Sequence, residues 1–205
     1  MSYSGTLYTI SAPSGAGKTS LVEALLKTTK DLQVSISHTT RPMRPGEVDA
    51  HNYHFVDKVQ FEAMLGTHDF LESAEVFGHY YGTSRQWVED TLATGSDVIL
   101  EIDWQGAALI HQQRPETVSI FVLPPSKNAL SDRLQQRGQD DARVIAHRIA
   151  QAKQEMAHFI DADYLLINDV FEATLAELSL VIASGKLLRK RQQNQHARLL
   201  KELLS

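Results

Sequence analysis

The sequence Ala12-Pro13-Ser14-Gly15-Ala16-Gly17-Lys18-Thr19 decides the fold of this chain. The apolar run Leu7–Ile10 precedes it, and a run rich in leucine, Leu21–Leu26, follows it. This order of strand, glycine-rich loop and helix predicts a phosphate-binding loop, or P-loop. Glycines let the backbone N–H groups turn toward a phosphate, Lys18 reaches the terminal phosphates, and the Thr19 hydroxyl holds Mg²⁺.

One position departs from the strict P-loop pattern, which has glycine where this chain has Ala12. Alanine fits there if its φ angle is negative, so the departure leaves the chemistry of the loop intact. The alternative is a strand-helix turn with a surface lysine, which the two flanking elements disfavour. The loop therefore predicts a nucleotide-binding site formed by Ser14, Gly15, Ala16, Gly17, Lys18, Thr19 and Ser20.

Composition limits the classes of protein that the chain can represent. Its 205 residues with 42% apolar content suit one globular domain. A net charge of −5 argues against binding nucleic acid through bulk charge, and the lack of cysteine excludes disulfides and thiolate metal sites. No run approaches the roughly 18 apolar residues of a membrane span, and Met1–Ser4 lacks a signal-peptide pattern. We therefore expect a cytoplasmic protein without a membrane partner.

Strands alternate with helices along most of the chain. The apolar runs Leu32–Ser37, Val98–Asp103, Ser119–Leu123 and Tyr164–Ile167 predict strands, and segments with helical spacing of leucine separate several of them. Such alternation implies a parallel sheet with right-handed crossovers. The predicted fold class is α/β, a P-loop NTPase-type parallel sheet flanked by helices.

Residues 38–84 differ from the rest because they are polar, aromatic and rich in turn residues. Short strands are predicted at His51–Val56 and Phe70–Phe77, with the helix Val59–Leu65 between them. The segment Gly78–Gly82 is predicted to be a turn. We interpret this part of the chain as a small α+β insertion into the P-loop core.

The positions of five arginines indicate which kind of reaction takes place at the P-loop. Arg41 and Arg44 share one proline-rich loop, Arg133 and Arg137 stand four apart on one helix face, and Arg148 follows one helix later. Unit charges on two phosphates about 5 Å apart repel by roughly 3 kcal/mol at an effective dielectric near 20. Guanidinium groups that converge on a P-loop therefore favour a kinase that closes over two phosphorylated substrates. Taken singly, any of these arginines is equally well explained as a surface charge.

Several motifs of the chain resemble those of bacterial guanylate kinases in order and spacing. They are Ser37–Glu47, Asn52–Val56, Phe70–Glu72, Gly78–Thr83, Glu101–Gly106 and Asn168–Asp169. The resemblance covers nearly the whole chain and implies phosphorylation of GMP to GDP by ATP with Mg²⁺. It also implies a P-loop core (residues 1–37, 85–125 and 157–205), a GMP-binding insertion (38–84) and a helical lid (126–156).

The resemblance further implies which residues bind GMP. Arg41, Arg44, Tyr53 and Tyr81 would grip its phosphate, and Ser37, Glu72 and Thr83 would contact the guanine, with Asp103 as a further candidate for the guanine amine. A carboxylate such as Glu72 accepts hydrogen bonds from guanine N1–H and the exocyclic amine, a pair that adenine does not offer. A pocket built on such a contact rejects the wrong base by about 10⁴-fold. Without the resemblance, Glu72 is as readily an exposed strand carboxylate, and Tyr53 and Tyr81 are core residues of the insertion.

Other implied roles concern the metal and the transferred phosphoryl group. The charges near that group would be Lys18, Arg41, Arg133, Arg137 and Arg148, and Asn168 would lie near the adenine of ATP. Thr19 and Asp103 are the candidate metal positions, with Asp103 acting through water or contacting the guanine amine instead. The family usually has aspartate where this chain has Glu101, so a direct metal role for Glu101 is in doubt.

Two other functions stay open from the sequence. A related P-loop kinase with another acceptor would lack the guanine contacts, and a non-catalytic guanylate-kinase-like binding domain would lack the intact Gly17-Lys18-Thr19. The basic C-terminal tail, Lys186–Lys201, predicts a solvated terminal helix, with a subunit contact or weak RNA attraction as the second interpretation. A homo-oligomer therefore also stays open.

Overall fold

Two β-sheets organise the chain in a computed structural model that describes residues 5–76, 78–136, 149–150 and 152–205. The strands are β1 (Leu7–Ser11), β2 (Leu32–Ser35), β3 (His38–Thr39), β4 (His54–Phe55), β5 (Phe70–Val76), β6 (His79–Ser84), β7 (Asp97–Glu101), β8 (Val118–Leu123) and β9 (Tyr164–Ile167). The main sheet has the order β2-β7-β1-β8-β9, with parallel pairing throughout. The predicted α/β class is confirmed.

The helices of the described residues are α1 (Lys18–Thr28), α2 (Lys58–Gly66), α3 (Arg85–Ala93), α4 (Trp104–Gln113), α5 (Lys127–Gln136), α6 (described over residues 149–150 and 152–156), α7 (Phe171–Gly185), α8 (Arg189–Gln195) and α9 (Ala197–Leu203). Helices α1 and α7 pack on one face of the main sheet, and α3 and α4 pack on the other. A 3₁₀ helix, Ala157–Asp161, follows α6. In the described part of the chain, no helix has the length and apolar character needed to cross a membrane.

The core forms where β1 runs through the middle of the main sheet. Tyr8 and Ile10 are fully buried against α1 and α7, while Leu7 packs on the other face with residues of α3 and α4. A parallel strand covered on both faces needs apolar side chains at successive positions, as the run Leu7–Ile10 provides. This burial fixes the end of β1, from which the P-loop begins.

The second sheet corrects one prediction for residues 38–84. It has the order β4-β3-β6-β5, and the segment predicted as a turn at Gly78–Gly82 belongs mostly to strand β6. Only Gly78, with a φ of 77°, has turn geometry. The tyrosines and threonine of β6 suit a strand, and their backbone groups pair with β5 and β3. Strand β5 matches its prediction as far as Val76, whereas Phe77 lies outside the described residues.

Helix α4 was missed by the sequence analysis. Asp103 caps it by accepting a hydrogen bond from the Gly106 N–H at 2.9 Å. Only Gly106 and Ile110 are buried within it, so the helix carries no broad apolar stripe. Its place is set by the parallel sheet, since β7 and β8 require a crossover between them.

The C-terminal tail differs from the predicted solvated helix, because it forms two helices, α8 and α9, and one of its basic residues is buried. Arg191 is buried and forms an ion pair with Asp97 of β7, with 2.5 Å between Nη1 and Oδ1. The same nitrogen donates to the Thr6 hydroxyl at 3.1 Å. The prediction of a solvated tail is therefore wrong for Arg191, which attaches α8 to the start of a core strand.

Candidate active site

The P-loop conformation depends on two glycines. Gly15 and Gly17 have φ angles of 91° and 96°, in the left-handed region that a side chain disfavours. A Cβ on Gly17 would also lie 2.4 Å from the Asn168 amide nitrogen. Ala12 is not among the described residues that have a positive φ angle. Alanine therefore fits at this position, where the chain departs from the strict P-loop pattern.

Lys18 lies at the floor of the cleft beside this loop. Its ammonium donates a hydrogen bond to the Ile102 carbonyl at 3.2 Å. Burial lowers the pKa of Lys18, while the negative charges of Glu101, Asp103 and Glu155 act against that change. A bound polyphosphate would add negative charge beside the ammonium and favour its charged form.

A hydroxyl and a carboxylate meet next to Lys18. The Thr19 hydroxyl donates to Glu101 Oε2 at 3.0 Å, and both residues line the cleft. Asp103 lines the same cleft, but its carboxylate accepts from the Gly106 N–H as the cap of α4. The carboxylate in contact with the Thr19 hydroxyl is therefore that of Glu101.

Arg133 and Asn168 form hydrogen bonds with the main chain of the P-loop. The Asn168 side-chain amide donates to the Ala16 carbonyl at 2.7 Å, and Arg133 donates to the carbonyls of Asn168 at 2.9 Å and Ala16 at 3.4 Å. Neither residue lines the cleft as the structure describes it. The other two predicted lid arginines, Arg137 and Arg148, lie outside the described residues.

A single cavity of about 970 Å³ extends from the P-loop to residues 38–84. This volume is at the upper end of the range of about 300–1,000 Å³ that is usual for small-molecule sites. The predicted site residues that line it are Ser14, Gly15, Gly17, Lys18, Thr19, Ser37, Arg41, Arg44, Tyr53, Glu72, Tyr81 and Asp103. Those that do not line it are Ala16, Ser20, Thr83, Arg133 and Asn168. The structure thus brings most of the predicted ATP and GMP residues into one space.

Glu72 is buried at the insertion end of this cavity, with 6% of its surface exposed. The alternative of an exposed strand carboxylate is therefore wrong. The pKa of Glu72 is raised to about 7, because burial and, to a smaller extent, the Asp103 charge outweigh the hydrogen bond that the Thr83 hydroxyl donates at 2.6 Å. A Cβ on Gly106 would come within 2.8 Å of Glu72 Oε2, so glycine gives the carboxylate room.

Arg41 is held by a group that sequence reasoning did not single out. Its guanidinium forms a paired contact with the Glu47 carboxylate, at 2.6 and 3.0 Å, and lies 5.3 Å from the centre of the Tyr53 ring. Burial alone would lower the pKa of Arg41, but the contacts with Glu47 outweigh it and the pKa rises. The signal available in the sequence was an acid in the same loop as Arg41 and Arg44.

Glu155 is a second residue that the sequence analysis missed. Its Oε2 accepts from the Ser14 backbone N–H at 3.4 Å, and its side chain lines the cavity. Burial raises the pKa of this carboxylate, while the Ser14 N–H and the Lys18 ammonium act against the change. A carboxylate from α6 therefore contacts an N–H group of the loop predicted to bind phosphate. No motif in the sequence marks this residue.

Comparisons with known proteins agree with this arrangement. Residues 4–185 match a family model described as guanylate kinase. The chain is 54% identical over 205 residues to a protein named guanylate kinase from Saccharophagus degradans, covering 100% of both. It is 54% identical over 203 residues to one of the same name from Escherichia coli (strain K12), covering 98% of both. The crystal structure of guanylate kinase from Anaplasma phagocytophilum aligns with a TM-score of 0.75 at 30% identity, over 94% of this chain and 95% of that one.

Proposed function

Because the chain belongs to the guanylate kinase family and is therefore an ATP:GMP phosphotransferase, we propose that it performs the transfer in the cavity between the P-loop and residues 38–84. The observation that carries the proposal is that Lys18, at one end of this space, and Glu72 and Arg41, at the other, line the same cavity. We propose residues 38–84 as the GMP-binding part, 126–156 as the lid and the remainder as the core.

ATP is proposed to bind with its phosphates against the P-loop. Gly15 and Gly17 have the backbone angles that turn N–H groups toward an anion, and the N-terminus of α1 adds a partial positive charge. Lys18 would contact the terminal phosphates. Asn168 supports the loop through Ala16 and is proposed to lie beside the adenine.

The residues beside the P-loop fit Mg²⁺. The Thr19 hydroxyl and the Glu101 carboxylate are adjacent oxygen donors, which this ion prefers. Mg²⁺ usually uses one or two carboxylates together with water and phosphate oxygens. When bound, it would neutralise charge on the phosphates of ATP. We propose that Thr19 and Glu101 hold the ion, with Asp103 acting through water or toward the guanine.

GMP is proposed to bind with its base at Glu72 and its phosphate at Arg41 and Arg44. The ionised Glu72 carboxylate would accept from guanine N1–H and the exocyclic amine, and Ser37 and Thr83 would complete the base pocket. Tyr53 and Tyr81 would contact the phosphate, which their ring pair supports with 5.9 Å between centroids.

The transfer itself needs charge stabilisation more than acid-base chemistry. An oxygen of the GMP phosphate forms a bond to the γ-phosphorus of ATP, and the bond from that phosphorus to the β–γ bridging oxygen breaks, which releases ADP. The attacking oxygen is already anionic, so no strong general base is required. Lys18 and Arg41 are proposed to stabilise the transferring group, together with Arg133, Arg137 and Arg148 after closure of the lid and the exclusion of water.

A coupled assay of ADP release tests the proposal with GMP, AMP, UMP and CMP as acceptors. We expect turnover with GMP and little turnover with the other three acceptors. We also propose that the protein acts in the cytoplasm. A preference for AMP would refute the assignment of Glu72 as the guanine contact. A lack of turnover with every acceptor would refute the proposal that the reaction takes place in this cavity.

A further inference from the structure

We propose that Glu47 is a positioning residue for the phosphate of GMP, because it fixes the Arg41 guanidinium and the Arg44 main chain before the substrate arrives. The inference rests on the proposed function of the cavity. Glu47 is a carboxylate in a site whose proposed ligand is also anionic. An acid at such a position would otherwise be expected to weaken binding.

The Glu47 carboxylate joins three donors of its own loop. Its Oε1 accepts from Arg41 Nη2 at 2.6 Å, and its Oε2 accepts from Arg41 Nη1 at 3.0 Å and from the Arg44 N–H at 2.7 Å. The Glu47 N–H returns a hydrogen bond to the Arg44 carbonyl at 3.1 Å. Gly46, with a φ of 86°, supplies the turn that brings these groups together. One side chain therefore fixes the shape of the loop.

The same contacts restrict the Arg41 side chain to one orientation. Arg41 is 9% exposed, and its Nη1 also donates to the Pro42 carbonyl at 2.7 Å. Immobilising a long arginine costs rotamer entropy, and that cost falls on the free protein when the side chain is already fixed. One edge of the planar Arg41 guanidinium pairs with the Glu47 carboxylate, and the guanidinium also lies above the Tyr53 ring. GMP would thus meet an ordered guanidinium.

Glu47 leaves the Arg44 side chain available to the cavity. The contact from Glu47 is to the Arg44 backbone, whereas the Arg44 side chain is exposed and lines the cleft. The phosphate can therefore meet Arg44 without displacing Glu47. The opposing interpretation is that Glu47 competes with the phosphate for Arg41. The two interpretations predict opposite changes in affinity when the charge of Glu47 is removed.

The variant Glu47→Gln tests this choice through two ligands. Guanosine lacks the phosphate of GMP, so the ratio of the two dissociation constants reports the phosphate contacts alone. We expect Glu47→Gln to weaken GMP about tenfold, as for the loss of charge-assisted hydrogen bonds, and to change guanosine by less than about twofold. The KM for GMP should rise by the same factor, and the KM for ATP should stay unchanged.

The matched control is Glu75→Gln, at an exposed position of β5 in the same insertion that does not line the cavity. It should behave like the unaltered protein with both ligands. If Glu47→Gln fails to fold, Glu47→Asp keeps the charge but shortens the reach by one methylene. It should then weaken GMP severalfold relative to guanosine.

Three results would overturn the inference: unchanged GMP affinity, tighter GMP binding, or an equal loss for guanosine. Tighter binding would identify Glu47 as a competitor, and an equal loss would identify a general support of the insertion. The activity of the unaltered protein distinguishes a failure of this inference from a failure of the proposed function. If it does not phosphorylate GMP, the function is wrong; if it does and Glu47→Gln matches it, only the role of Glu47 is wrong.

Discussion

Replacement of Glu72 by Gln should make the protein more stable at alkaline pH while it weakens the binding of guanine. Glu72 is 6% exposed, and burial raises the pKa of its carboxyl group to about 7 from the usual 4.5. At pH 8 the folded protein therefore holds a buried negative charge that is better solvated in the unfolded chain. Glutamine removes the charge, and its carbonyl oxygen can still accept from the Thr83 hydroxyl.

The size of the effect follows from the difference between the two pKa values. Each pKa unit corresponds to about 1.4 kcal/mol, so the charge of Glu72 costs the folded state about 3 kcal/mol once it is fully ionised. Below pH 4.5 the carboxyl is protonated in both states and the cost is absent. Between pH 4.5 and 7 the folded state binds more protons than the unfolded state, so stability falls as pH rises. Above pH 7 the full cost applies.

Urea unfolding of Glu72→Gln and of the unaltered protein at pH 4.5, 6 and 8 measures this difference. The advantage of the variant should grow by about 3 kcal/mol from pH 4.5 to 8. Guanosine binding should show the opposite dependence on pH, since the ionised Glu72 carboxylate is proposed to accept hydrogen bonds from the base. Affinity of the unaltered protein should rise about tenfold from pH 6 to 8, and that of the variant should be weak and flat.

Two outcomes would refute this reasoning. A variant that is less stable than the unaltered protein at pH 8 would mean that the carboxylate is not destabilised by burial. Guanosine affinity that does not change from pH 6 to 8 would mean that ionised Glu72 does not contact the base. Glu75→Gln, on the exposed face of the same strand, should show neither effect and serves as the control.

Three further variants test other parts of the structure. Lys18→Ala should lower kcat by about 10²-fold or more with little change in GMP affinity, because the Lys18 charge is proposed to act on the transferring group; steady-state kinetics with an undiminished rate would contradict this. Glu155→Gln should lower the KM for ATP by about two- to fivefold, since a carboxylate at the P-loop repels phosphate; a higher KM would mean that the residue assists binding. Arg191→Gln should cost about 3–5 kcal/mol in urea unfolding because the buried Asp97 carboxylate loses the guanidinium that pairs with its charge, whereas the exposed Arg198→Gln should cost almost nothing.

The sequence by itself determined the P-loop and the class of fold. Glycines at positions 15 and 17, an apolar strand before them and a helix after them occupy one short window, and each follows from local backbone preference. The continuous apolar runs that became β1, β7 and β8 likewise indicated strands buried on both faces. The resemblance of short motifs also implies that residues 38–84 bind GMP, which stays a prediction.

The second sheet and helix α4 were harder to predict from the sequence. The glycines on either side of the β6 tyrosines predict a turn, but pairing with β5 and β3 keeps the segment extended. Helix α4 buries few residues, so its periodicity is weak. In both cases, partners elsewhere in the chain decide the local structure.

Only the tertiary structure decided the environment of each charge. Whether Glu72 is exposed or buried depends on α4, which packs against β5, and Asp97 meets Arg191 across 94 residues of sequence. Glu155 reaches Ser14 across 141 residues. A local sequence pattern predicts the positive φ angles of glycines and the periodicity of strands and helices, because both depend on residues that are close in sequence. Burial and ion pairing arise where distant segments cover one another, so the fold had to be known before the charges that tune the cavity could be identified.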